Sequence, residues 1–144
     1  MPEESTTPDL VELTRSGYES FSRRDLDAVM RDYDDDSVLD LSPAGLGTYE
    51  GQAAIRGVLQ DWMGAWEEFE FEPEQILDLG NGVVFAVALQ NARPVGSTGY
   101  VRMHQGNVFV WVEGLIERNT HYMDIDEARA AAERLAEERA PADA

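Results

Sequence analysis

The stretch Phe109–Ala128, FVWVEGLIERNTHYMDIDEA, decides how the rest of the chain is read. It holds the end of one extended run, a Glu113-Gly114 turn, a second run of strand length and an acidic helix start. Before the turn, Phe109 and Trp111 alternate with Val108, Val110 and Val112, the period of a strand. After it, neither face is cleanly apolar. Ile116, Arg118, Thr120 and Tyr122 form one alternate set, and Glu117, Asn119, His121 and Met123 the other. A half-buried strand normally keeps one apolar side, so the second set faces solvent, a partner chain or a polar-lined pocket. Asp124 or Asp126 then caps a last helix with Ile125, Ala128, Ala132 and Leu135 inward.

Working back from this hairpin, Tyr100 to Val112 reads as one long strand, with Gly106 as a candidate bulge. Gly96–Gly99 is a looser turn, and Asn81-Gly82 is a strong hairpin signal between Gln75–Leu79 and Val83–Gln90. Phe69 and Phe71 alternate with glutamates, and Pro73 points to an edge or a bulge. From about Gln52 a helix carries Ile55, Leu59, Trp62, Met63 and Trp66 on one stripe. Pro43–Gly47 is a loop and Ser37–Leu41 a short strand. Leu26, Val29, Met30 and Tyr33 line one helix face that the acidic run Asp34–Asp36 ends. Thr7 and Pro8 open a first helix carrying Leu10, Leu13, Gly17 and Phe21, after a short disordered arm.

The order is helix, helix, strand, helix, four strands that can meander, then helix. Strands joined by tight turns with the helices grouped together give an α+β fold. Its curved antiparallel sheet, packed against the N-terminal helices, makes a cone with an open mouth. The 144 residues suit a single domain spanning 1–144, ordered over about 8–138.

Net charge is −18, from 29 acidic residues against 11 basic, which argues against nucleic acid or an anionic membrane as partner. No apolar run reaches the ~18 residues of a membrane span. The first ten residues, MPEESTTPDL, have no apolar core of a signal peptide. The absence of cysteine excludes disulfides and thiolate chemistry and fits a reducing cytoplasm. The two histidines, His104 and His121, have no helical His-x-x-x-His spacing, and Asp34–Asp36 lacks the alternation of a calcium loop, so no metal site is expected.

Three segments resemble the SnoaL-like branch of the nuclear-transport-factor-2-like superfamily: Phe21–Val38, FSRRDLDAVMRDYDDDSV; Gly47–Trp62, GTYEGQAAIRGVLQDW; and the hairpin segment Phe109–Ala128. The resemblance implies a cone-shaped sheet whose last two long strands project groups inward. The fold hosts polyketide cyclases, steroid isomerases, epoxide hydrolases, dehydratases and non-catalytic binding modules, so function has to be argued from the site.

Alignment with the steroid isomerases places Glu117, Asn119, His121 and Met123 toward the cone, opposite Asn107, Phe109 and Trp111. That answers the question of the polar face: it looks into a pocket. His121 falls where cyclases of this kind place an acid/base residue; the alternative is a structural histidine at a pocket edge or dimer interface. Asn107 falls near the isomerases' oxyanion donor; the alternative is a polar residue beside a bulge. Trp62 reads as core or pocket floor. The isomerases' helix tyrosine is replaced by Gly17, with Tyr18 about 100° round the helix. Their general-base aspartate falls at or near Leu41, and Asp40 reaches the cone only through a bulge.

The resulting expectation is a site for a small, neutral, largely apolar molecule, polyketide- or terpenoid-like. His121 and Asn107 are its catalytic candidates, and Asn119, Glu117, Phe109, Trp111, Met123 and Trp62 its binding residues. No cofactor is expected. The alternative is a non-catalytic ligand-binding or dimerisation module, which a closed cone filled by Trp111, Phe109 and Met123 would favour. A homodimer is expected because Val108, Val110, Val112, Ile116 and Tyr122 would otherwise form a bare apolar patch on the convex face.

Overall fold

The computed structural model describes residues 9–140. The expected N-terminal arm and the Thr7–Pro8 helix start lie outside the described residues, as does nearly all of the C-terminal tail. Helix α1, Leu10–Ser22, is capped instead by Asp9, whose side chain accepts from the backbone N–H groups of Val11 and Glu12. Arg24 takes a positive φ of 61° and Asp25 caps the short α2, Leu26–Met30. Strand β1, Tyr33–Asp40, follows; after a 3₁₀ turn at Ser42–Ala44 come β2, Thr48–Glu50, and α3, Gln52–Gly64. The meander is β3, Trp66–Gly80; β4, Val83–Pro94; β5, Val101–Val112; and β6, Leu115–Tyr122. Helix α4, Ile125–Glu138, closes the chain.

The six strands form one sheet in the order β2-β1-β6-β5-β4-β3. The expected antiparallel meander is there, but β1 joins it parallel to β6, a long-range pairing that no local turn announces. Tyr33 therefore opens a strand and does not end a helix. The acidic run Asp34–Asp36 lies inside that strand. Between Tyr33 and Val38 the partner advances only from Ile116 to Arg118, so the acids bulge outward. Ser37 anchors the bulge by donating from its hydroxyl to the carbonyl of Ile116 at 2.6 Å. Trp66 likewise starts β3, since α3 stops at Gly64. Pro73 sits on the edge strand, at a register shift between Pro73 and Gln75, where its missing N–H costs no ladder bond.

Helices α1, α2 and α3 cover the concave face. The core there joins Tyr18, Met30, Tyr33, Leu39, Ile55, Phe109, Trp111 and Ile116. Helix α4 crosses to the other face. Its Ala128, Ala132 and Ala136 pack on Val83, Phe85, Val87 and Val108. Gly106 is the close-approach point: a Cβ there would lie 2.7 Å from the Cβ of Ala128. The β4–β5 ladder runs through Gly106 without a shift, so it is a packing glycine and not a bulge. Val108 and Val110 are consequently buried, and only Val112 of that expected patch is exposed. Helix α4 thus covers much of the face whose exposure led to the expectation of a homodimer.

Candidate functional site

In the β5–β6 hairpin the bulge lies in β6. Val110 pairs with Arg118 but Trp111 pairs with Ile116, so Glu117 is the extra residue. It resets the alternation. Ile116, expected on the convex face, is buried in the concave core beside Trp111. Glu117 is turned out of the cone and reaches Arg139, the residue that follows α4, at 3.6 Å. Beyond the bulge the expected parity holds, and Asn119 and His121 face inward opposite Phe109 and Asn107. Met123 falls past the end of the strand, 47% exposed, and does not line the cavity.

The cone is open inside. A cavity of about 420 Å³ lies between the sheet and the three helices. Leu39, Val58, Leu59, Phe71, Phe109 and Ile116 supply much of its apolar wall. Of the residues proposed from sequence, Asn107, Phe109, Trp111, Asn119, His121 and Trp62 line it, and Glu117 and Met123 do not. Phe109 stacks on Trp111 with centroids 6.3 Å apart and meets the ring of Tyr18 edge-on at 6.2 Å.

A hydrogen-bonded chain crosses this wall. The Tyr18 hydroxyl donates to Asn107 Oδ1 at 2.9 Å. Asn107 Nδ2 donates to Asn119 Oδ1 at 3.0 Å, and Asn119 Nδ2 donates to the Tyr33 hydroxyl oxygen at 3.1 Å. All four residues are buried. Each amide uses one N–H within the chain and keeps a second. Burial, reinforced by Tyr33, pushes the Tyr18 phenol well above its usual value. Burial likewise raises Tyr33 to about 12 against the opposing hydrogen bond from Asn119, so both phenols remain donors. Trp111 Nε1 and Thr14 Oγ1, on residues that also line the cavity, are buried without a partner. Gln105, another lining residue, donates to Gln90.

Tyr18, Tyr33 and Asp32 are the site residues that sequence reasoning missed. Tyr18 was set aside as rotated from Gly17, yet a helix face wide enough to hold Leu13, Thr14, Gly17, Tyr18 and Phe21 brings both inward. Asp32, in the turn before β1, is half-buried, and burial pushes its carboxyl up to about 6 against the pull of Arg31. His121 is also half-buried, and loss of hydration lowers its pKa, leaving a neutral imidazole at neutral pH.

Asp40 is tied down on the outer face, while its neighbours Leu39 and Leu41 line the cone. It pairs with Arg118 at 2.6 Å and accepts from the hydroxyls of Ser42 and Thr48. Partial burial opposes ionisation, but hydrogen bonds from Ser42, Arg118 and Thr48 outweigh it and lower the carboxyl to about 2. A group so held is a poor proton acceptor near neutrality. His104 lies on the surface, 2.9 Å from Glu74.

The chain is similar to known proteins in sequence profile and in fold. The sequence profile of the SnoaL-like domain matches residues 14–119. A search of curated proteins by sequence found no match. Among solved structures, TerC co-crystallised with polyporic acid superposes with a TM-score of 0.69 at 16% identity, over 86% of this chain and 97% of that one. A protein of ketosteroid-isomerase-like fold from Catenulispora acidiphila, in complex with trimethylamine, gives 0.71 at 14% identity, over 88% and 94%. An epoxide hydrolase of the LEH-like type from M. tuberculosis gives 0.67 at 18% identity, over 86% and 89%. At these identities the likeness is one of fold. Among the described residues no helix is long and apolar enough to cross a membrane.

Proposed function

The chain belongs to the SnoaL-like domain family, and on that premise we propose that its cone binds a small, neutral, largely apolar ring compound and performs acid/base chemistry on it without a cofactor. The compound carries one or two carbonyl or hydroxyl groups, as polyketides and terpenoids do. The observation that carries this reading is the buried Tyr18–Asn107–Asn119–Tyr33 chain set into the wall of a largely apolar cavity of about 420 Å³. That volume falls among small-molecule pockets, which run about 300–1,000 Å³, and such sites pair apolar walls with a few fixed polar groups. The spare amide N–H groups and the Trp111 indole N–H are donors for a ligand oxygen. His121, neutral and unpaired, is the proton acceptor. The net charge of −18 and the absence of arginine from the cavity lining among the described residues disfavour anionic ligands. Polyporic acid in TerC and trimethylamine in the Catenulispora protein support small-molecule binding by this fold.

A specific observation favours a second reading, a non-catalytic ligand carrier. No hydrogen-bond partner among the described residues orients the His121 ring, the usual device for fixing a catalytic tautomer. A thermal-shift screen separates the possibilities. Neutral ring ketones and alcohols raise the melting temperature, and nucleotides and sugar phosphates do not; the opposite pattern contradicts the proposal. Turnover of a stabilising compound that His121→Ala abolishes establishes the enzyme, and binding without turnover establishes the carrier.

A further inference from the structure

Asp32 sits where the turn from α2 enters β1, and it lines the cavity together with Gly17 of α1. Among the described residues its carboxylate has no hydrogen-bond or ion-pair partner. Gly17 leaves the space beside it empty. A Cβ built on Gly17 would meet nothing closer than Asp32 Oδ2 at 3.9 Å. The charged groups around Asp32 do not balance it. Helix α1 contributes Tyr18 to the lining and β1 contributes Tyr33, both held neutral. Helix α3 presents Asp61, another carboxylate, and β6 presents a neutral His121. Arg31, the next residue along the chain, is exposed and outside the lining.

We propose that the cavity also takes a protonated apolar amine, with the Asp32 carboxylate as its counter-ion and the aromatic wall around its cation. This rests on the cone being the binding site, and adds a second ligand class to the neutral compounds. An ammonium beside Asp32 supplies the missing opposite charge, while the faces of Tyr33, Tyr18, Phe71 and Trp111 attract a cation as well as an apolar body. The surrounding acidity draws cations toward the mouth in low salt. With the carboxyl near 6, the preference is present above that pH and fades as Asp32 protonates below it.

The test compares N,N-dimethylcyclohexylamine, a cation at about pH 7.5, with cyclohexyl methyl ketone, its neutral near-isostere, by calorimetric titration. The amine is expected to bind about tenfold or more tightly at about pH 7.5, with the gap closing at about pH 5. Asp32→Asn is expected to abolish the preference, so that amine and ketone bind that variant with similar affinity. Gly17→Leu, a substitution at an unstrained helical position, is expected to block the amine by filling the space beside the carboxylate, and decides the matter should Asp32→Asn fail to fold. Equal affinity for the two probes in the wild type, or a preference that survives both variants, overturns the amine inference while leaving the cone as the binding site. Failure of both probes and of the neutral ring compounds to bind overturns the cone reading as well.

Discussion

Asn107 of β5 and Asn119 of β6 are diagonal neighbours on the concave face, with Asn107 Nδ2 donating to Asn119 Oδ1 at 3.0 Å. Their opposite ends are fixed by Tyr18 and Tyr33. The wall is therefore preset: each amide has one orientation that satisfies the chain.

Breaking this chain destabilises the fold. Tyr18→Phe leaves Asn107 Oδ1 without its donor, and Tyr33→Phe leaves Asn119 Nδ2 without its acceptor. Each is expected to cost about 1–3 kcal/mol, the range for stranding a buried polar group. Because the amides link the two phenols, the double variant departs from additivity by more than about 0.5 kcal/mol in urea melts. Strict additivity would show that the chain does not act as a unit.

Gly106→Ala is expected to destabilise by about 1–3 kcal/mol, because its methyl would press on Ala128 and force α4 off the sheet. The paired variant Gly106→Ala with Ala128→Gly is expected to recover much of the loss. A neutral Gly106→Ala melt would show that α4 docks more loosely than described.

Asp40 governs part of the acid stability. Against the opposing effect of partial burial, its folded pKa is lowered to about 2 from the ordinary 3.8 by hydrogen bonds from Ser42, Arg118 and Thr48, so these contacts stabilise above the ordinary value and their contribution is lost as pH falls through the lowered one. The stability gap between wild type and Asp40→Asn is expected to be constant above about pH 5 and to close below about pH 4. A gap independent of pH would place the contribution in packing alone.

His121→Ala is expected to keep the fold, since the ring lines a cavity, and to lower turnover of a neutral substrate by about 10² to 10⁴. Burial lowers the imidazole pKa, so base catalysis by His121 persists below the ordinary histidine value of 6.5 and falls only as pH drops through the lowered one. A rate that instead falls on the alkaline side would assign His121 the role of proton donor.

The elements legible in the sequence were those whose cause is local. Asn81-Gly82 adopts positive φ at both residues, 59° and 83°, and so does Glu113-Gly114, at 54° and 84°; these turns set the meander. Helical spacing located α3, and the Ala128/Ala132 stripe gave α4 its buried face, but not which side of the sheet it covers. That choice depends on Gly106 meeting Ala128, a contact between distant segments. The parallel pairing of β1 with β6 is hidden for the same reason. Within the site, strict alternation located Asn119 and His121 but misassigned Ile116 and Glu117, because one extra residue at Glu117 shifts everything before it. Asp32 and Tyr33 were obscured by reading the helix of α2 too far.

Side-chain NMR during a ligand titration tests most directly whether the cone is the binding site. The chain has three indole N–H signals, from Trp62, Trp66 and Trp111. Trp111 and Trp62 line the cavity, whereas Trp66 packs outside it. With a neutral ring ketone, the Trp111 indole and the side-chain amides of Asn107 and Asn119 are expected to shift together along one saturation curve, with Trp66 moving least. Shifts confined to surface groups, with Trp111, Asn107 and Asn119 unmoved at saturation, would contradict the account.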